Sequence, residues 1–194
     1  QKEDFMRASE WIKNNSEKLH VFDKSEFGGT VSGINRCLKD SDTDFDCLYV
    51  DYLQDLKPPR HLAKSEERII ISYNMERLGD VAEKYDSAMV VLSQLNRARV
   101  GSNTMPSYKR LKGSGKIEEK SHIILMLHDP NALNKVKAKD PVQKRIVYTE
   151  KTRVTAPYTG SIAFRGEGAD FIGIFTGYED DMPDVVKKDR AYKN

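Results

Sequence analysis

The sequence predicts an α/β sandwich built on a largely parallel sheet. Three observations carry this. Three short apolar runs, Cys47–Val50, Ala88–Leu92 and Ile123–Leu127, each give way to polar residues, the pattern of strands buried on both faces. A long amphipathic segment separates the first two, as a helix between parallel strands does. After the third, two segments alternate apolar and polar residues on either side of a turn, as a terminal hairpin does. A chain of 194 residues and 22.1 kDa fits one domain.

Glu3–Asn15 reads as a helix, because Phe5, Ala8, Trp11 and Ile12 share a face at helical spacing. Leu19–Phe22 reads as a short strand and Asp23–Gly29 as a loop with paired glycines. Thr30 is placed to cap a helix whose apolar face is Val31, Ile34 and Leu38. Cys47–Val50 is a buried strand ending in Asp51, and Pro58-Pro59 breaks regular structure within Lys57–Arg60. Ser65 opens the clearest helix, with Ile71, Met75, Leu78, Ala82 and Tyr85 stepping by four, three, four and three. Ala88–Leu92 is the second buried strand and runs into Ser93-Gln94. Asn96–Lys112 is polar and has no period, Ile123–Leu127 is the third strand, and Lys135–Gln143 is a basic loop. Arg145–Glu150 and Ser161–Phe164 are half-buried strands joined by a turn at Ala156–Gly160, and Phe171–Phe175 closes the sheet. The domain is expected over residues 1–177, with a charged tail, 178–194, that frays.

Composition excludes several classes. Apolar residues make up 38% and charged residues 32%, polar for a globular chain but too apolar for disorder. The longest uninterrupted apolar runs hold five residues. A membrane-spanning helix needs about 20, so no membrane partner is expected. No secretion signal follows Gln1, and Cys37 and Cys47 form no disulfide scaffold or metal-ligand pair, so a reduced, cytoplasmic setting is expected. The net charge of +2 is unevenly spread. Six aspartates lie between Asp40 and Asp55 with no Lys or Arg, whereas 97–120 and 133–153 each carry seven basic residues against two acidic ones. Two such loop-rich stretches suit a polyanion, although on charge alone a solvated surface is the better reading.

In open α/β sheets ligands sit at the carboxyl ends of the strands. That edge holds Asp51, Ser93-Gln94 and His128-Asp129. A carboxylate in the position of Asp51 can hold Mg²⁺ beside nucleotide phosphates, or merely cap a turn. An amide in the position of Gln94 can sense a γ-phosphate, or simply be a satisfied loop side chain. Leu111–Ile117 approaches the phosphate-binding pattern G-x-x-x-x-G-K-[ST] but fails it, with Arg110 in place of the first glycine and Ile117 in place of Ser or Thr. Gly113 and Gly115 can still offer backbone N–H groups to a phosphate before a short helix. Lys151 and Arg153, two apart at a strand end, place two cations on one face. The four histidines share no spacing with carboxylates or cysteines, so no histidine metal site is assigned.

Taken in order, these segments resemble the ATPase domain of the replicative hexameric DNA helicases of the DnaB family. Val50-Asp51-Tyr52-Leu53-Gln54 resembles the family's Walker B strand, and Leu92-Ser93-Gln94-Leu95-Asn96-Arg97 its next motif without a mismatch. Leu111–Glu118 resembles its DNA-binding loop, and Lys151-Thr152-Arg153 with Pro157, Gly160 and Phe164 its closing hairpin. Coverage runs from about Lys2 to Gly173. The resemblance implies a RecA-like three-layer sandwich, ATP and Mg²⁺ as cofactors, and a ring of six identical subunits around single-stranded DNA. It implies Asp51 as the Mg²⁺ ligand, directly or through water, and Gln94 at the γ-phosphate. Lys151 and Arg153 would reach the neighbouring subunit's nucleotide, Arg153 as the arginine finger. DNA-backbone contacts fall on Lys112, Gly113 and Gly115, with Arg110 beside them. Primase and a helicase loader are the further partners it implies.

The chain departs from the family pattern at Lys112, where an arginine stands, at Gly113, where a glutamate stands, and at His122, usually an acid. Lysine keeps the charge but loses the bidentate fork. The family's P-loop and catalytic glutamate are expected upstream of Gln1, so the chain alone is expected to be inactive. The alternative reading is a non-catalytic RecA-like module that binds nucleic acid or helicase subunits. A stand-alone small-molecule enzyme has no self-contained catalytic set here.

Overall fold

The computed structural model describes residues 2–15, 18–95, 106–111, 114–130, 142–165 and 170–175. In chain order it holds α1 (Lys2–Asn14), α2 (Lys24–Phe27), α3 (Val31–Asp40), β1 (Cys47–Val50), α4 (Glu67–Lys84), β2 (Ala88–Val91), α5 (Ser114–Lys120), β3 (Ile123–His128), β4 (Val142–Thr152), β5 (Thr159–Arg165) and β6 (Asp170–Phe175). Short 3-10 turns lie at Leu53–Asp55, Arg60–Leu62 and Tyr108–Arg110.

The helices follow their local signals. The Thr30 side chain accepts from the Gly33 N–H at 3.0 Å, which starts α3 and turns Val31 and Leu38 into the core. Pro59 precedes the second 3-10 turn, and α4 follows at Glu67, two residues after Ser65. Its buried stripe is Ile71, Met75 and Leu78, as the spacing predicts, but it continues through Val81, with Ala82 and Tyr85 only half-buried. Asp23–Gly29, expected as a loop, contains α2. Asp23 accepts from Ser25 and Glu26 N–H groups while Glu26 returns to the Asp23 N–H, a capping box that nucleates one turn, which Gly28 ends at φ 68°.

The expected single, mostly parallel sheet is not what the described residues form. β1 and β2 pair in parallel, Cys47 opposite Ala88 through Val50 opposite Val91. The other four strands form a separate antiparallel sheet in the order β3-β4-β5-β6. A continuous apolar run reads as a strand covered on both faces, but β3 is covered on one. Ile124 and Met126 are buried while Ile123, Leu125 and Leu127 are open. Its partner is the 11-residue β4, which comes back alongside it with Met126 opposite Tyr148. Leu19–Phe22, expected as a strand, joins no strand among the described residues. Instead His20 and Phe22 set their rings edge-on to Phe45, at 5.2 and 6.3 Å between centroids.

One apolar cluster joins the elements. It takes Val31 and Leu38 from α3, Val50 from β1, Leu53 and Leu56, the α4 stripe, Leu111 and Ile117, Ile124 and Met126 from β3, and Tyr148 from β4. Both sheets therefore spend one face on the same core. On the other face Tyr49, Val90, Leu125 and Leu127 are exposed. The apolar face of α1 forms at the expected spacing but is uncovered, with Phe5, Trp11 and Ile12 exposed. Among the described residues no helix is long and apolar enough to cross a membrane. The expected tail, 178–194, and most of the Asn96–Lys112 and Lys135–Gln143 segments lie outside the described residues.

Candidate functional site

β1 and β2 end side by side, and the chain leaving each stays joined to the other. The Leu92 N–H donates to Val50 O at 3.0 Å, and the Leu53 N–H donates to Leu92 O at 2.9 Å. Leu53 is fully buried, which anchors the 3-10 turn just beyond Asp51. Asp51 is exposed at this strand exit, carries no hydrogen bond or ion pair with a described residue, and is joined to Tyr52 by a cis peptide. Gln94 is exposed on the adjacent exit. The fold thus brings the predicted carboxylate and amide to neighbouring parallel strand ends.

A free carboxylate in that place fits Mg²⁺, which keeps several waters and commonly takes one or two protein carboxylates plus substrate phosphates. Among the described residues no three His, Cys, Asp or Glu side chains cluster as a metal cage. A lone carboxylate of this kind has room to share a metal with a phosphate ligand.

Lys151 and Arg153 lie elsewhere, at the β4 end beside the start of β3. Lys151 pairs opposite Ile124, and the Arg153 N–H donates to His122 O at 2.9 Å. From Ile124, opposite Lys151, to His128 at the carboxyl end of β3 is about 13 Å along the strand at ~3.3 Å per residue. Both cations are engaged within the chain. The Lys151 ammonium donates to Glu118 O, and the Arg153 guanidinium to Glu119 O at 2.6 Å. These are carbonyls of the last turn of α5, where cations are favourable. Glu119 itself is held below the ordinary carboxylate range, first by the hydrogen bond from Lys116 at 2.9 Å.

Of the predicted nucleic-acid residues, Arg110 closes the third 3-10 turn and Gly115 lies in the first turn of α5 rather than ahead of it. Lys112 and Gly113 lie outside the described residues. The Arg110 segment is fixed to β4 twice. The Tyr148 hydroxyl donates to Pro106 O, and the Ser107 hydroxyl donates to the Glu150 carboxylate at 2.7 Å. Burial, and then the Glu150 charge, raises the Tyr148 phenol above its ordinary value. At the far end of β3 the Asp129 carboxylate pairs with Arg145 at 3.2 Å.

Two features escape sequence reasoning. The sequence places Gln54 only within a motif, yet its side chain joins the two strand exits, bonding Ser93 at 2.9 Å and the Gln94 backbone at 3.1 Å. The α5 carbonyls leave no trace in residue type, because any residue supplies them.

Two solved structures are similar to this arrangement. One, of a DnaB-like replicative helicase and its interactions with primase, matches with a TM-score of 0.68 at 28% identity, over 88% of this chain and 42% of that one. A second, of an ATPase domain, matches with a TM-score of 0.60 at 25% identity, over 74% of this chain and 51% of that one. The chain therefore spans about half, or less, of the length of each of these structures. No curated protein matches the sequence. The model of the DnaB-like helicase C-terminal domain matches residues 1–172. With its strand-end carboxylate and amide set as described, the chain belongs to the DnaB-like helicase C-terminal domain family.

Proposed function

We propose that the protein containing this chain is an ATP-dependent replicative DNA helicase, a hexameric ring of identical subunits that moves along single-stranded DNA. The observation that carries the reading is the placement of Asp51 and Gln94 on adjacent parallel strand exits in a chain of this family. Asp51 holds Mg²⁺, directly or through water, and Gln94 reads the γ-phosphate of ATP. The metal, when bound, neutralises charge developing on the phosphates. Lys151 and Arg153 stand at the start of β3, away from its carboxyl end. That position supports their acting on a neighbouring subunit's nucleotide, with Arg153 stabilising transition-state charge. Arg110, Lys112, Gly113 and Gly115 contact the DNA backbone. Primase, which interacts with the DnaB-like replicative helicase that this chain is similar to, is a proposed partner here, as is a loader.

Mixed rings test this reading. Subunits of the full-length protein carrying Arg153→Ala are combined with subunits mutated in the P-loop lysine. Each parent variant is expected to lose DNA-stimulated hydrolysis, by about 10³–10⁵-fold for the arginine. Mixed rings recover part of it, at interfaces that pair an intact P-loop with an intact Arg153. Assembled mixed rings with no recovery would count against action between subunits. A full-length protein that binds DNA but never hydrolyses ATP would favour the non-catalytic module instead.

A further inference from the structure

We infer that Gln54 is the positioning residue for Gln94, an inference that rests on the proposed role of Gln94 at the γ-phosphate. Beyond Val50 and Val91 the two strands separate, and their backbone pairing continues only through the Leu92 and Leu53 N–H groups. Among the next polar groups on the β2 side are the Ser93 hydroxyl and the Gln94 N–H. Both are taken by one carboxamide. Gln54 Oε1 accepts from the Gln94 N–H at 3.1 Å, and Gln54 Nε2 donates to Ser93 Oγ at 2.9 Å. A backbone N–H can only donate, so the oxygen must face Gln94 and the amide group is fixed in one orientation. The side chain thus extends the ladder by one step after the backbones part.

The clamp has a rigid base. Gln54 sits in the 3-10 turn whose first residue, Leu53, is fully buried and bonded to Leu92 O. The same turn is held from below, where the buried Asn74 amide donates to Leu56 O at 3.1 Å. Asp51 leads into this turn, and Gln94 hangs from its side-chain clamp. The spacing between the carboxylate-bearing segment and the amide-bearing segment is therefore set by Gln54. A glutamine offers a donor and an acceptor on one planar group at this reach. Asn is one carbon shorter, Leu has neither group, and Met has no donor and only a weak thioether acceptor.

The test compares binding of a non-hydrolysable ATP analogue and of ADP, each with Mg²⁺, to the full-length protein. Gln94→Ala is expected to cut the preference for the analogue over ADP about tenfold, the size of one lost charge-assisted hydrogen bond. Gln54→Met, close in volume but unable to clamp, is expected to cut the preference by a similar factor while ADP affinity stays within about twofold. The double variant should lose no more than either single one, because both act on one contact. Hydrogen exchange at the Gln94 amide, read in the full-length protein without nucleotide, should speed up in Gln54→Met and not in Gln94→Ala. If Gln94→Ala lowers the preference and Gln54→Met does not, Gln54 has no positioning role and the inference falls alone. A parallel loss of analogue and ADP affinity in Gln54→Met makes the residue merely structural and also overturns it. If Gln94→Ala leaves the preference unchanged, the γ-phosphate role fails first and takes the inference with it, whatever the exchange shows.

Discussion

Arg153 has two separable jobs under the proposed function. Within the chain it closes the carboxyl end of α5 through Glu119 O, and it is exposed there. A cation on the last turn of an exposed helix contributes about 0.3–1 kcal/mol. Arg153→Ala should therefore lower the unfolding free energy of this chain by no more than that, as read by urea titration. The same change in the ring should remove hydrolysis by orders of magnitude. A loss of several kcal/mol in the chain would instead make Arg153 a folding residue. Arg153 is legible in the sequence as a cation on a strand end, from its spacing to Lys151. Its seat on α5 is not, since the acceptor is a backbone carbonyl about 34 residues away.

Among the elements, two contacts hold the site's supports in place. Asn74 is 1% exposed on α4, and its amide nitrogen caps Leu56 O just after the turn that carries Gln54. Its Oδ1 finds no partner among the described residues. Asn74→Ala leaves the Leu56 carbonyl buried without its donor, so it should cost about 1–3 kcal/mol. An unchanged urea midpoint would mean that water replaces the amide. Gly33 is the second contact. A Cβ there would run into the Phe27 carbonyl, because α3 starts directly under α2. Gly33→Ala should overpack this junction and destabilise by about 1–3 kcal/mol, despite alanine's better helix propensity. A gain in thermal stability would contradict the close approach. The α4 stripe is readable from period alone. The polar Asn74 within it is not, because a buried amide is kept by its partner and not by the period.

Across the molecule, the described part of the basic stretch 97–120 is fastened to the fold. The Arg110 turn is pinned at Pro106 and Ser107 to β4, the strand that carries Lys151. The segment 97–120 carries seven basic residues against two acidic ones. If it tracks the phosphates of a single strand, affinity in the intact ring should fall steeply with salt and differ little between sequences. Removing one phosphate contact, as in Lys112→Ala, should reduce the slope of log K against log[salt] by about 0.7 per contact. Titration of single-stranded oligonucleotides at several salt concentrations reads this directly. An unchanged slope and affinity would take Lys112 out of the interface.

Spacing within ten or twenty residues was enough to set the kind of each major element and the order of the motifs. The helices α3 and α4, the three apolar strands, the terminal hairpin, and Asp51 and Gln94 at strand ends all follow from it. Such spacing is local, because side-chain direction repeats with the backbone period. Tertiary packing chose which strand each run joined, so that β3 pairs with β4 in an antiparallel sheet and β1 with β2 in a parallel one. It also left the apolar face of α1 open, and put Gln54 across two strand exits and Arg153 on α5. The physical reason is common to all four. Pairing, covering and capping each need a second group from far along the chain, and no periodicity in one segment records which group arrives.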